Sequence, residues 1–180
     1  MFTYPLDDKT YLKLLEVRDA EKLFQLTISS KETLREWLPF IDYTKTVADT
    51  ESFIKSTMQQ YANNNGIQCA IWYEGKIAGV IGFHAVNWSN KSTSIGYWLG
   101  NDFVGHGLMT KAVKAFVDYA LKELKLNRVE IRAAVENQKS RAIPERLGFT
   151  EEGCIRQSEW LYDHYVDHVV YGMLADEWMK

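Results

Sequence analysis

The chain has 180 residues, 46% of them hydrophobic and 25% charged, with a net charge of −3. That is enough apolar material for one sizeable core, so a single domain over residues 1–180 is expected; the scattered basic residues exclude the cationic face of a nucleic-acid binder. No apolar run approaches the roughly 20 residues of a membrane span, and no basic segment followed by an apolar one opens the chain. A cytoplasmic protein without membrane attachment is therefore expected.

Strands and helices alternate along the chain, with no Pro/Gly/Ser-rich linker and no internal repeat. Tyr11 to Glu16 reads as a first strand. Asp19 suits the N-cap of a helix that carries Ala20, Leu23, Phe24, Thr27 and Ile28 inward. Leu34–Pro39 reads as a short helix stopped by its proline, and a longer helix covers about Val47 to Tyr61. Gln68 to Tyr73 and Lys76 to Val86 read as strands joined by a Glu74-Gly75 hairpin turn. Cys69 and Cys154 each sit in an apolar strand-like run, which fits a reducing compartment and offers neither a disulfide framework nor metal-ligand spacing.

The next segment carries the chemistry. A strand-like run, Thr93 to Leu99, enters the turn Gly105-His106-Gly107, which leads directly into an amphipathic helix. Met109, Ala112, Val113, Phe116, Val117, Ala120, Leu121 and Leu124 form its apolar stripe, with Lys111, Lys114, Asp118 and Lys122 opposite. A glycine turn ending at a helix N-terminus presents unpaired N–H groups and the positive end of the helix dipole, which suits a pyrophosphate. The turn lacks the third glycine of a dinucleotide fingerprint, since Thr110 stands there, and the Gly-Lys-Ser/Thr of a phosphate loop is absent. Tight packing alone also explains two glycines in a turn. Arg128 to Ala134 then alternates as a strand, a short helix runs from about Asn137 to Leu147, and the strands Glu151–Trp160 and Tyr165–Leu174 close the chain around Tyr162-Asp163-His164. A strand–helix–strand crossover through the Met109 helix makes its flanking strands parallel, while the hairpins on either side make antiparallel pairs. A mixed α/β sheet flanked by helices follows.

The order strand, Gly-x-Gly, helix, strand, Asn137-x-x-Ser140, Leu147-Gly148-Phe149 resembles the GNAT superfamily of N-acetyltransferases. Trp37-Leu38-Pro39, Gly105-His106-Gly107-Leu108-Met109-Thr110, Glu152-Gly153 and Glu159 extend the likeness to its branch that acetylates ribosomal-protein N-termini (RimJ/RimL-like). The resemblance implies a mostly antiparallel seven-stranded sheet whose central parallel pair splays at the cofactor site. It implies acetyl-coenzyme A as co-substrate, no metal, and an amine acceptor, with a ribosomal-protein N-terminus favoured; association of identical copies stays open. It places the cofactor on Trp98, Leu99, Gly100, Val104, Gly105, His106, Gly107, Leu108, Met109, Thr110, Asn137 and Ser140. It makes Glu159 the base and Ser140 the residue that assists the thiolate, with Trp37, Pro39, Trp160 and Tyr162 walling the acceptor slot. Two positions depart from the family pattern. Asp102 stands where the superfamily usually carries Gln or Arg, so backbone amides must do the holding. Pro144 replaces a tyrosine that protonates the departing thiolate in many relatives.

The chemistry constrains these roles. An α-amine of pKa near 7.7–8.0 is roughly 10% neutral at pH 7, so a carboxylate base suffices. Backbone N–H groups near Trp98–Gly100 would meet the oxyanion if the strand leaves them free. Each residue also has a plainer reading: Glu159 as a solvent-facing strand residue, Ser140 as a first-turn helix serine, Asn137 as a helix N-cap, and the four aromatic-slot residues as ordinary packing. His164 and His168, four apart on a strand, lie about 13 Å from each other and do not make a metal site. Two rival readings stay open. One is an acetyltransferase of a small amine (polyamine, amino acid or antibiotic), for which Asp42, Asp49 and Glu51 near the slot's lip would argue. The other is a non-catalytic acyl-CoA-binding module.

Overall fold

The computed structural model describes residues 2–180. Eight strands and six α-helices follow in the order β1 (Tyr4–Pro5), β2 (Thr10–Leu14), α1 (Ala20–Ser29), α2 (Lys31–Arg35), α3 (Val47–Ala62), β3 (Gln68–Tyr73), β4 (Lys76–Asn87), β5 (Ser92–Leu99), α4 (Leu108–Asp118), β6 (Arg128–Ala134), α5 (Gln138–Arg146), β7 (Thr150–Leu161), β8 (His164–Leu174) and α6 (Ala175–Trp178). The sheet order is β1-β2-β3-β4-β5-β6-β8-β7. The sheet is mixed, and β5 and β6 are parallel, as the crossover argument requires. It has eight strands, not seven, the addition being the two-residue β1 paired with β2. The parallel pair is in register only from Ser92 to Ser94 against Arg128 to Glu130, although both strands run on, to Leu99 and Ala134.

The chain divides into two compact units. One takes the chain up to Gly82 together with Tyr97–Ala112; the other takes Phe83–Gly96 together with Val113–Lys180. In the first unit Leu15, Ala20, Leu23, Ile54, Ala70, Trp72, Ile77 and Val80 form a buried cluster on which α1 and α3 pack. In the second, Phe83 is fully buried against the rings of Phe116 and Tyr119. Val113 and Val117 of α4 are fully buried too, as the apolar stripe predicts. Beyond Asp118 that helix continues through Tyr119–Glu123 as a wider turn, with Leu124 N–H donating to Tyr119 O at 3.0 Å. No helix among the described residues is long and apolar enough to cross a membrane.

Three local expectations change. Asp19 does not cap α1 with its side chain: it is buried, accepts the Glu16 N–H at 3.2 Å, and pairs with the buried Lys13 at 2.8 Å. A buried ammonium outcompetes a helix cap, because an unpaired charge there would be far costlier. Ile28, expected inside, is 39% exposed. Pro39 starts a helical turn, Pro39–Tyr43, after α2 has already ended at Arg35. Its fixed φ and missing donor suit a first position, where no N–H partner is needed.

Candidate functional site

In the first unit, β5 ends at Leu99 and a short turn, Asn101–Phe103, leads to the glycine turn. Gly105 and Gly107 adopt φ of +90° and +70°, a left-handed region that glycine enters without strain. A Cβ on either would meet no atom within 4 Å, so both glycines border open space. Gly105, His106 and Gly107 are exposed, whereas the side chains of Leu108 and Met109 are buried, 1% and 4% exposed. Lys111 N–H donates to Gly107 O at 3.3 Å, closing the first turn of α4. The Leu108 and Met109 amides belong to the helix N-terminus, which has no intrahelical acceptor for them. The turn fits a diphosphate by main-chain geometry and dipole.

The side chains around this turn are engaged elsewhere. The His106 ring lies against Tyr73, centroids 5.4 Å apart, and Phe103 meets the same tyrosine edge-on. Lys111, a candidate source of diffuse positive charge, is bound to Asp7 of the β1–β2 turn. That hydrogen bond, with others from Lys9 and Thr10, holds the Asp7 carboxyl well below the usual range. Asp102 is exposed in the preceding turn and Val104 is 48% exposed. Trp98 and Leu99 are half-buried, with Phe40 6.5 Å from Trp98. Gly100 corrects one expectation: its N–H donates to Ala78 O at 2.8 Å and is not free for an oxyanion. Trp37 and Pro39 are half-buried in the same unit, and Thr110 is partly covered on α4.

In the second unit, Asn137 caps α5, its Oδ1 accepting the Ser140 N–H at 3.2 Å. The NH₂ end of the side chain is what it retains as a donor. Ser140 is half-buried in the first turn. Pro144 is buried inside α5, where it removes the N–H that would reach the Ser140 carbonyl. Two residues farther along the unit's packing, Tyr171 OH donates to Glu145 at 2.7 Å and accepts from Arg141 at 2.9 Å, tying α5 to β8.

Glu159 is on β7, its side chain 38% exposed, opposite Val166 of β8. Its Oε1 is 4.0 Å from Nε2 of His168, whose side chain is 18% exposed. Adjacent Trp160 pairs with Tyr165, the rings packing edge-on at 4.8 Å, and so projects from the other face of the ribbon. Tyr162 occupies the hairpin turn at φ +59°. The pairing of Glu159 with His168 was not foreseen. It depends on a break in register, with Ile155 opposite His168 and Glu159 opposite Val166, so that three residues of β7 face Asp167 alone. Gln157 sits in that bulge at φ +50° and donates its N–H to Asp167 Oδ1 at 2.6 Å. No glycine marks the position, so the strand alternation gave no warning. Among the described residues no group of three or more His, Cys, Asp or Glu could hold a metal.

Comparison with known proteins places the chain among relatives. The sequence profile of the acetyltransferase (GNAT) domain matches residues 9–150. The putative ribosomal N-acetyltransferase YdaF of Bacillus subtilis (strain 168) is 41% identical, covering 99% of this chain and 98% of its own. The ribosomal-protein-serine acetyltransferase of Escherichia coli (strain K12) is 27% identical over 97% of both chains. A solved structure of RimL, the ribosomal L7/L12 α-N-protein acetyltransferase, in complex with coenzyme A superposes with a TM-score of 0.94 at 27% identity, covering 98% of this chain and 99% of that one.

Proposed function

This chain belongs to the GNAT acetyltransferase family, and on that premise we propose that its acceptor is the N-terminal α-amine of a ribosomal protein. It is an acetyl-coenzyme A-dependent N-acetyltransferase. The observation that carries the cofactor assignment is the open Gly105–Met109 turn, whose exposed glycines border empty space at the start of α4. The likeness to YdaF and to the E. coli serine acetyltransferase supports the ribosomal acceptor.

In this reading the amides of residues 104–109 bind the diphosphate, and the NH₂ of Asn137 meets the pantetheine. Glu159, half-exposed on β7, removes the proton from the attacking amine directly or through water. Ser140 donates to the departing thiolate, the duty left open where Pro144 stands. With the Gly100 N–H committed to Ala78, the Trp98–Leu99 segment is what remains of the expected oxyanion donors. Trp37, Pro39, Trp160 and Tyr162 wall the acceptor slot, as the family resemblance implies. The profile match runs through both compact units, which supports one N-acetyltransferase domain over residues 1–180, working in the cytoplasm where ribosomal proteins are made.

The test is mass spectrometry of ribosomal proteins and polyamines incubated in parallel with the purified enzyme and acetyl-coenzyme A. A mass gain of one acetyl group on a ribosomal-protein N-terminal peptide is expected. Acetylation of polyamines with all ribosomal termini unchanged overturns the acceptor assignment.

A further inference from the structure

We propose that Asp167 is a positioning residue for Glu159, acting by clamping the β7 bulge; this rests on the reading of Glu159 as base. The hairpin turn sets Leu161 opposite His164, Trp160 opposite Tyr165 and Glu159 opposite Val166. Had the ladder continued without interruption, Ser158 would face Asp167 and Gln157 would face His168. Gln157 would then stand on the same face as Glu159, in the place directly across from the imidazole. The bulge prevents this. It carries Arg156, Gln157 and Ser158 out of the ladder and puts Ile155 opposite His168 instead.

Diagonal neighbours on one face of an antiparallel pair are within reach of long side chains once nothing intervenes. Glu159 accordingly lies 4.0 Å from His168. Across β8 on the other side, His168 faces the uncharged Ala134 of β6, with Arg132 opposite Val170 as the next residue on that face. Glu159 is therefore the only carboxylate among the described residues paired with the imidazole.

A non-glycine residue at φ +50° is strained and persists only where something holds it. The holder is Asp167: its Oδ1 takes the Gln157 N–H at 2.6 Å, while its own carbonyl takes the Val135 N–H at 3.0 Å. The carboxylate thus fixes the kink, and Val135, the residue after β6, holds the backbone of the aspartate that carries it. A charge-assisted bond of this kind is short and directional, which a bulge without glycine requires.

Asp167→Ala removes the acceptor, whereas Asp167→Asn keeps an oxygen at the same position. The readout on the full chain is steady-state kinetics with acetyl-coenzyme A and an acceptor peptide bearing a free N-terminal serine. Asp167→Ala is expected to lower kcat by about tenfold or more with KM for acetyl-coenzyme A unchanged. Asp167→Asn should retain kcat near its wild-type value. In the Glu159→Gln background, Asp167→Ala should cost nothing further. If Glu159→Gln is impaired while Asp167→Ala keeps wild-type kcat, the clamp is wrong and the base stands. If Glu159→Gln itself turns over normally, the base assignment falls and the clamp loses its catalytic meaning with it.

Discussion

Replacing Gly107 with alanine separates the cost of bending the chain from the cost of losing a ligand. At φ +70° a Cβ is strained by about 1–2 kcal/mol. No other atom lies within 4 Å of where that Cβ would stand, so no clash is added. The free variant should fold and lose about 2–4 °C in Tm per kcal/mol. Gly75→Ala supplies the control, since Gly75 has φ +78°, equally open surroundings and a place in the Glu74–Gly75 hairpin far along the chain from α4. Both variants should lose similar stability without ligand.

Only Gly107→Ala should then lose coenzyme A. The methyl group projects into space that the diphosphate is proposed to occupy and keeps the Gly107 and Leu108 amides away from it. A hydrogen bond to a charged group is worth about 1.5–3 kcal/mol, so loss of one such bond weakens binding roughly 10- to 150-fold. Isothermal titration calorimetry with coenzyme A measures this directly. An unchanged Kd for Gly107→Ala, with the expected drop in Tm of the free protein, would place the diphosphate elsewhere and refute the reasoning.

Other consequences are checked more briefly. Ser140→Ala should slow acetyl transfer while leaving Tm within about a degree, since a first-turn serine hydroxyl contributes little to the fold; wild-type kinetics would make water the proton source. Native protein should react with one equivalent of a thiol reagent, at the exposed Cys154, because Cys69 is buried and its thiol is pushed up to about 12 by desolvation; two equally fast thiols would contradict that burial. Asp19→Ala should destabilise the fold by about 3 kcal/mol, the low end for breaking a buried pair, since Glu16 remains 2.5 Å from Lys13. Burial pulls the Lys13 ammonium down, but its hydrogen bonds to Asp19 and Glu16 outweigh this and raise its pKa. A raised pKa stabilises fully below the ordinary lysine value and fades as pH climbs through the folded one. Denaturant melts should therefore show the gap between wild type and variant constant near neutrality and narrowing above about pH 10.5.

What could be read from residues alone divides along physical lines. β3 and its hairpin were legible to the residue, because a continuous apolar run and the Glu74-Gly75 dipeptide are both local signals. The stripe of α4 was legible for the same reason, and Val113, Phe116 and Val117 are buried as the 3.6 period demands. Asn137 as a cap needed only the identity of one residue and the helix after it. Asp19 looked like an equally good cap, yet its partner is Lys13, on β2, and no local rule links the two. The Glu159–His168 contact was hidden more deeply. An uninterrupted ladder from the hairpin would set Gln157 opposite His168, and the bulge bonded to Asp167 of β8 replaces it with Ile155.

The glycine turn shows why an aspartate at position 102 need not weaken an anion site. A side-chain cation would offset it, but Lys111 of α4 is paired with Asp7. The histidine between the glycines sets its ring against Tyr73 in an exposed loop. What remains is a set of main-chain donors whose directions are set by two positive φ angles and by the first turn of α4. Such donors carry no net charge for Asp102 to cancel, and their dipoles act over the short range at which a phosphate oxygen is bound. Burial of Leu108 and Met109 anchors the same turn from beneath, so the residues that hold the helix in place also hold its amides on target. On the proposed reading binding and folding would share one support there, in place of the Gln or Arg that the family resemblance led one to expect at position 102.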